Sequence, residues 1–419
     1  MSDTASPKTA PPNTRLFDDL RARMLVIAGI LLFVMAVHGA IETGALVGDA
    51  RDLIDGRRSN VSETFDSSIA TLCEQDRTSA AMCSASGTPR VAKMQACVSG
   101  STGGDTGFCR SVWAVAFLAL DEPLPTTLTA GNWREWIGHQ SRRGVSGAAS
   151  MLGLFAPDGR SVAHQVNLSI TPLFLIALAA LALVLIGLGR GTSGRWFGVA
   201  ISAQNRLSLS LVQMFVWTVM IVAAYAVYAG FNVGLVAETA ARERVALVSY
   251  FPSMPPWTWG LLGVTVGTPL ASGVIKGLKP VPGAAPAVVG GEALSRLGVA
   301  LSPLQRNASP DEASLLDLFF GEDVDDSRRI DITRTQNVLI TLVLMLTYTG
   351  FLVATMSDLS PPMLAGLIGT PTEAPFGSFP NPGGTFVGLL LLTHTAYLGG
   401  KYGLETSPSE GPPASEPTG

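Results

Sequence analysis

Residues 206–225 read RLSLSLVQMFVWTVMIVAAY, and residues 329–348 read RIDITRTQNVLITLVLMLTY. Each starts with Arg, passes a short polar approach containing Gln213 or Gln336, and then runs apolar for several helical turns. A helix needs about 20 largely apolar residues to cross a bilayer, where no water is present to satisfy backbone N–H and C=O groups. Leu211–Phe231 and Arg334–Met356 therefore read as membrane spans. That reading sets the fold class as an all-α membrane bundle.

Four more segments follow the same logic: Met24–Leu46, Ile170–Leu188, Trp257–Ile275 and Thr385–Gly399. The last is short, so it thins the bilayer locally or tilts little. Composition agrees. Of 419 residues, 47% are hydrophobic and 14% charged, where a soluble domain carries roughly 25% charged residues. Gly (45) and Pro (27) are plentiful, as membrane helices tolerate. The net charge of -4 is small, so the expected surroundings are a lipid bilayer and no nucleic acid.

Flanking charge orients the spans. Lys8, Arg15, Arg21 and Arg23 precede the first, and Arg190, Arg195 and Arg206 separate the second from the third. Lys276, Lys279, Arg328 and Arg329 separate the fourth from the fifth, and Lys401 follows the sixth. Residues 357–384 contain neither Lys nor Arg. Arg242 and Arg244 weaken the pattern without reversing it. The positive-inside rule then puts both termini in the cytoplasm. Met24–Val37 running into AVHGA (36–40) also has the outline of a signal peptide, but the long leader with Asp18 and Asp19 is unusual for one. It reads as an uncleaved anchor.

The organisation expected is a disordered tail (1–23), the first helix (24–46), an extracytoplasmic domain (47–168), the second helix with a first hairpin (169–277), a cytoplasmic loop (278–333), a second hairpin (334–402) and a disordered tail (403–419). All four cysteines, Cys73, Cys83, Cys97 and Cys109, fall in the extracytoplasmic segment. An even number in a translocated domain reads as two disulfides. Three pairings are open, with Cys73–Cys83 and Cys97–Cys109 closing the shortest loops. Metal binding fits poorly, since no Cys-x-x-Cys and no nearby His accompany them. The apolar run Ser111–Leu120 and the strand–turn–strand pattern of Gly153–His164 give this domain a mixed α/β character.

The two opening stretches match in one register: Arg206/Arg329, Gln213/Gln336, Thr218/Thr341 and Tyr225/Tyr348. Phe251–Gly273 and Phe379–Lys401 likewise share Phe-Pro, Gly-Leu-Leu, a Thr and a Leu. The third to sixth helices therefore read as two copies of one hairpin, parallel about an axis along the membrane normal. Such repeats can flank a transport path. Ser210-Leu-Val-Gln213 and Thr333-Arg-Thr-Gln336 fit the capping box, with Ser210 and Thr333 as caps and the two Gln side chains reaching back. Gly260, Gly263, Gly267 and Gly273 in the fourth helix suit close helix contact in lipid.

Ionisable groups inside a membrane are candidate functional groups. His38 and Glu42 lie one turn apart on the first helix and can pair; His394 stands between Thr393 and Thr395 on the sixth. At 1.5 Å per residue, His394 is about 10 Å and His38 about 22 Å from the inner edge, so a direct relay between them is not expected. Two motif matches fail on context. Gly189-Arg-Gly-Thr-Ser-Gly194 follows a membrane helix and not a strand, and Thr265-Val-Gly267 sits inside a continuous apolar run and not in a re-entrant loop. Within the cytoplasmic loop, Ala313–Phe320 is amphipathic and reads as a surface-lying or partner-docking helix; the acidic run after it has the wrong spacing for a calcium loop. No catalytic triad, metal motif or phosphate loop is present, so neither an enzyme nor a cofactor is expected.

SLVQMFVWTVMIVAAY (210–225) and DLFFGEDVDDSRRIDITRTQ (317–336), each leading into a hairpin, resemble a set of bacterial multi-pass membrane proteins in which this two-helix hairpin is duplicated. The resemblance covers about residues 195–402. It implies architecture and a cytoplasmic (inner) membrane location; no activity is attached to that set. Two functional expectations stand. One is a membrane-embedded sensor or scaffold, with a protein partner on the extracytoplasmic domain or the cytoplasmic loop. The other is a channel or transporter between the hairpins, possible as a homo-oligomer.

Overall fold

The computed structural model describes residues 19–54, 70, 170–243, 250–278, 304–323, 329–357 and 376–401. Six α-helices stand in it: α1 (Leu20–Ile54), α2 (Thr171–Ser193), α3 (Leu209–Glu243), α4 (Pro256–Leu278), α5 (Ile332–Ser357) and α6 (Gly384–Lys401). Among the described residues, β structure is limited to isolated bridges. The first five helices are long and apolar enough to cross a membrane, and α6 contributes a shorter apolar run, Gly384–Gly399. This is an integral membrane architecture. Of the expected α/β domain (47–168), residues 47–54 continue α1 and, with residue 70, are the ones described; its cysteines, Cys73, Cys83, Cys97 and Cys109, lie outside the described residues. The first helix runs on to Ile54, beyond the Leu46 boundary read from the sequence.

Local chemistry fixes the helix ends. Pro172 opens α2, where its missing N–H costs nothing. Gly194 closes it in the left-handed conformation (φ 77°), with its N–H bonded to the Arg190 carbonyl. Asp331 precedes α5, and its Oδ1 accepts the Arg334 N–H at 3.1 Å. Starts of α1, α3 and α5 and ends of α2, α4 and α6 gather at one end of the bundle, here called the near end. The positive-inside pattern expects this end on the cytoplasmic side. Asp19 and Arg190 pair there at 3.2 Å, joining the start of α1 to the end of α2.

Packing divides into two regimes. α1 lies against α2 and α3 along glycines: Gly29 and Gly187 where it meets α2, Gly44, Gly48, Gly230 and Gly234 where it meets α3. A Cβ on Gly48 would stand 2.7 Å from the Leu235 carbonyl oxygen, and one on Gly29 2.7 Å from that of Ala180. Lipid gives no hydrophobic drive between helices, so backbones approach closely where side chains are absent. The glycines of α4 behave otherwise. Gly260, Gly263, Gly267 and Gly273 have nothing within 4 Å of a built Cβ, so the expected close contact is made by α1 and α3 instead. Helical patterning cannot say which face of a small-residue stripe finds a neighbour.

The second regime is a ring of four. α3 packs on α4, α4 on α6, α6 on α5 and α5 on α3. Aromatic side chains fill its middle: Trp217 and Phe386 meet edge-on at 6.0 Å, and Trp257 and Tyr348 at 5.6 Å. At the far end Tyr228 stacks on Phe376 at 4.3 Å. Apolar side chains such as Ile27, Val34, Leu270 and Leu392 face outward.

The pairs matched by letter do not share environments. Arg206 and Gln213 are buried, whereas Arg329 and Gln336 are exposed. The buried faces correspond one residue later, at Gln213/Asn337, Trp217/Thr341, Met220/Leu344 and Ala224/Tyr348. One residue turns a helix by about 100°, enough to move a side chain off the interior face.

Candidate functional site

The near end carries a charged cluster that no single motif announces. Residues 304–323 fold back across the ends of α3, α4 and α5. Ser314 caps a short 3-10 turn (Leu315–Leu318), and Asp317 returns to the Ser314 N–H at 3.0 Å. The same carboxylate accepts the Leu207 N–H at 3.1 Å and pairs with the Arg206 side chain at 3.6 Å. Arg206 donates to the Gly321 carbonyl at 2.7 Å. Five residues on, Glu322 bridges Lys276 of α4 (3.2 Å) and Arg334 of α5 (3.3 Å). Arg334 also donates to the Phe320 carbonyl at 2.6 Å.

Further out, Arg195 donates to the Ala313 carbonyl, and Asn205 and Asn307 exchange side-chain-to-backbone hydrogen bonds at 3.0 Å each. Ser202, Gln204, Arg206, Lys276, Asp317, Glu322 and Arg334 surround a cavity of about 10 Å³, room on the order of one water. Ala313–Phe320, read from sequence as a surface or partner-docking helix, is instead a capped turn held on its own bundle. Leu315 and Leu316 remain exposed.

A second polar set lies inside the ring. Both hydrogens of the Gln213 amide are used, by Asn337 Oδ1 at 2.8 Å and Thr341 Oγ1 at 2.7 Å. Asn337 Nδ2 reaches the Thr393 carbonyl at 3.4 Å. The four residues thus link α3, α5 and α6. Gln213 does not reach back to its own helix start, and Gln336 points outward. Helix α3 begins at Leu209 and α5 at Ile332, so Ser210 and Thr333 lie within the first turns. Ser208 and Asp331 occupy the flanking positions instead. The reason is competition. A buried amide finds better partners across the bundle than at a helix start already served by other groups.

His394 is buried against α4. The Thr268 hydroxyl lies 2.7 Å from the Val264 carbonyl and 2.8 Å from His394 Nδ1, and the direction of the second contact follows the imidazole tautomer. His394 Nε2 and Gln213 Oε1 have no hydrogen-bond partner among the described residues. His38 and Glu42 do meet on α1, at 3.9 Å, with His38 two-fifths exposed; neither is brought to His394.

Sequence reasoning missed Asp317, Glu322 and Asn337, and also Asn232, which is fully buried. Asn232 donates to the carbonyls of Tyr250 (2.9 Å) and Phe376 (3.0 Å), tying the far-end loops together. One signal was present: Ser314-Leu-Leu-Asp317 has the capping-box spacing. Among the described residues, no three His, Cys, Asp or Glu side chains gather as a metal site. No family model matches the chain, and neither a curated protein nor a solved structure matches it.

Proposed function

We propose that this membrane protein is a membrane-embedded scaffold or sensor that couples its transmembrane helices to a latched segment on the cytoplasmic side. The observation that carries the reading is the reach of Asp317 and Glu322, which tie the ends of α3, α4 and α5 through one short piece of chain. A shift of any of these helices along its axis must be felt by residues 304–323. The filled interior supports the same reading. Trp217, Tyr348 and Phe386 occupy the middle of the ring with ring centroids near 6 Å apart, where a solute path would need space.

The test is chemical crosslinking in native membranes followed by purification and mass spectrometry. A stoichiometric soluble partner on 304–323 or on the segment between α1 and α2 is the expected result. Recovery of only self-crosslinked oligomers joined through α3 to α6 would favour a pore. That second reading has one specific observation behind it, the unpartnered polar atoms His394 Nε2 and Gln213 Oε1 inside the ring. It predicts that His394→Ala abolishes solute flux in liposomes, and unchanged flux removes His394 from any path.

A further inference from the structure

We infer that the cleft between α3, α4 and α5 at the near end is a phosphate-binding site, at which a phosphate group takes the place of the Glu322 carboxylate between Lys276 and Arg334. The inference rests on the latch geometry described above and not on a protein partner. Three observations carry it.

The first is charge. Arg206, Lys276 and Arg334 face Asp317 and Glu322 around one cavity, an excess of one cation. With Glu322 withdrawn the excess is two, which suits a phosphate mono- or diester. The second is donor geometry. Glu322 spans a Lys ammonium at 3.2 Å and an Arg guanidinium at 3.3 Å, a pairing of point charge and planar fork that serves phosphate oxygens equally well. The third is an unsatisfied donor. Arg334 is 3% exposed, yet its Nε has no hydrogen-bond partner among the described residues, and its Nη2 meets Glu322 without a well-directed hydrogen bond. A buried guanidinium with N–H groups left over calls for an acceptor larger than one carboxylate.

Location fits the ligand. Lys276 stands in the last turn of α4 and Arg334 in the first turn of α5, at the edge of the apolar spans, where lipid phosphates reside. Basic pockets between membrane helices on the cytoplasmic side take anionic headgroups. The cavity of about 10 Å³ admits a water but no phosphate, so binding is an exchange. Phosphate enters as Glu322 leaves, while Asp317 stays anchored on Arg206 and the Leu207 N–H. No covalent bond changes. Occupancy would therefore loosen the part of the latch that holds α4 and α5.

Hydrogen exchange of the full chain in vesicles tests this. The Gln305 N–H bonds to the Glu322 carbonyl at 2.8 Å and the Gly321 N–H to the Arg329 carbonyl at 3.4 Å, so both amides report the latch. Four conditions are compared: vesicles of the phosphate-free lipid digalactosyldiacylglycerol alone, the same vesicles with phosphatidylglycerol, with inorganic phosphate, and with chloride at matched ionic strength. Exchange at the two amides is expected to rise several-fold with phosphate or phosphatidylglycerol but not with chloride, and Lys276→Gln is expected to blunt the rise. A rise confined to phosphatidylglycerol identifies a lipid headgroup, and one with inorganic phosphate a soluble ligand. Equal exchange in all conditions, or an equal rise with chloride, overturns the site. Fast exchange already in the phosphate-free vesicles overturns the latch itself. Independently, native mass spectrometry of Glu322→Gln should retain more phosphatidylglycerol than the parent chain; no increase counts against the exchange.

Discussion

Gln213 and Asn337 show how a polar side chain is used inside lipid. Each is almost wholly buried, and they meet across α3 and α5 at 2.8 Å. Hydrogen bonds between membrane helices are worth about 0.6 kcal/mol on average and up to roughly 1.7. Replacing Gln213 by Leu should therefore cost about 1 kcal/mol, and a Gln213→Leu/Asn337→Leu double-mutant cycle should return a coupling of similar size by unfolding in detergent; additive effects would dissolve the pairing. Asp317 is a costlier loss. It accepts two backbone N–H groups and pairs with Arg206, itself 7% exposed. Removing one partner of a buried pair leaves the other uncompensated, at about 3 kcal/mol. Asp317→Ala should accordingly make residues 304–323 the first site of proteolytic cleavage, whereas equal protection of parent and variant would detach the segment from this carboxylate.

At the scale of elements, two kinds of glycine are separable by experiment. Gly234 of α3 is in close approach to the backbone of α1 at Ile41 and Ala45, whereas Gly263 of α4 faces open space. Gly234→Val forces the backbones apart and should lower the folded yield and the melting temperature sharply, by more than about 2 kcal/mol. Gly263→Val should stay within about 0.5 kcal/mol of the parent. Thermal unfolding in detergent compares them, and equal losses would refute the division.

The pair Asp19–Arg190 links α1 and α2 at the near end and is pH-dependent. Desolvation raises the Asp19 pKa, but the Arg21 N–H, the Arg190 side chain and the Ala22 N–H outweigh it and hold the group below its ordinary 3.8. A carboxylate with a depressed folded pKa stabilises above its unfolded value and loses that contribution as pH falls through the folded one. The α1–α2 contact should hold at neutral pH and weaken only below the ordinary carboxylate range, and Asp19→Asn should remove that dependence. Crosslinking between the helix ends as a function of pH reads it.

For the molecule as a whole, the outward face must meet lipid and the inward face must not. Trp259 on α4 is 61% exposed, while Trp217 on α3 is fully buried. Brominated acyl chains should quench tryptophan fluorescence of the reconstituted protein, Trp259→Phe should reduce the quenched fraction, and Trp217→Phe should leave it nearly unchanged. The opposite ranking would mean that the ring of α3, α4, α5 and α6 opens to lipid.

Uninterrupted apolar length is a property of the chain itself, because backbone groups in a bilayer must be satisfied within one helix. For that reason Met24–Leu46, Leu211–Phe231 and Arg334–Met356 were legible as helices in the sequence, along with the polar, charged near end that Arg190, Arg206, Lys276 and Arg329 mark out. Which side of each helix faces a neighbour is not a local property. Gln213 and Gln336 look alike in sequence, and one is buried while the other is exposed; Gly44 and Gly263 look alike, and only the first touches another backbone. The union of Glu322 with Lys276 and Arg334 joins three distant parts of the chain. Such choices depend on helix rotation and on contacts between residues far apart in sequence, and these are settled only when the helices pack.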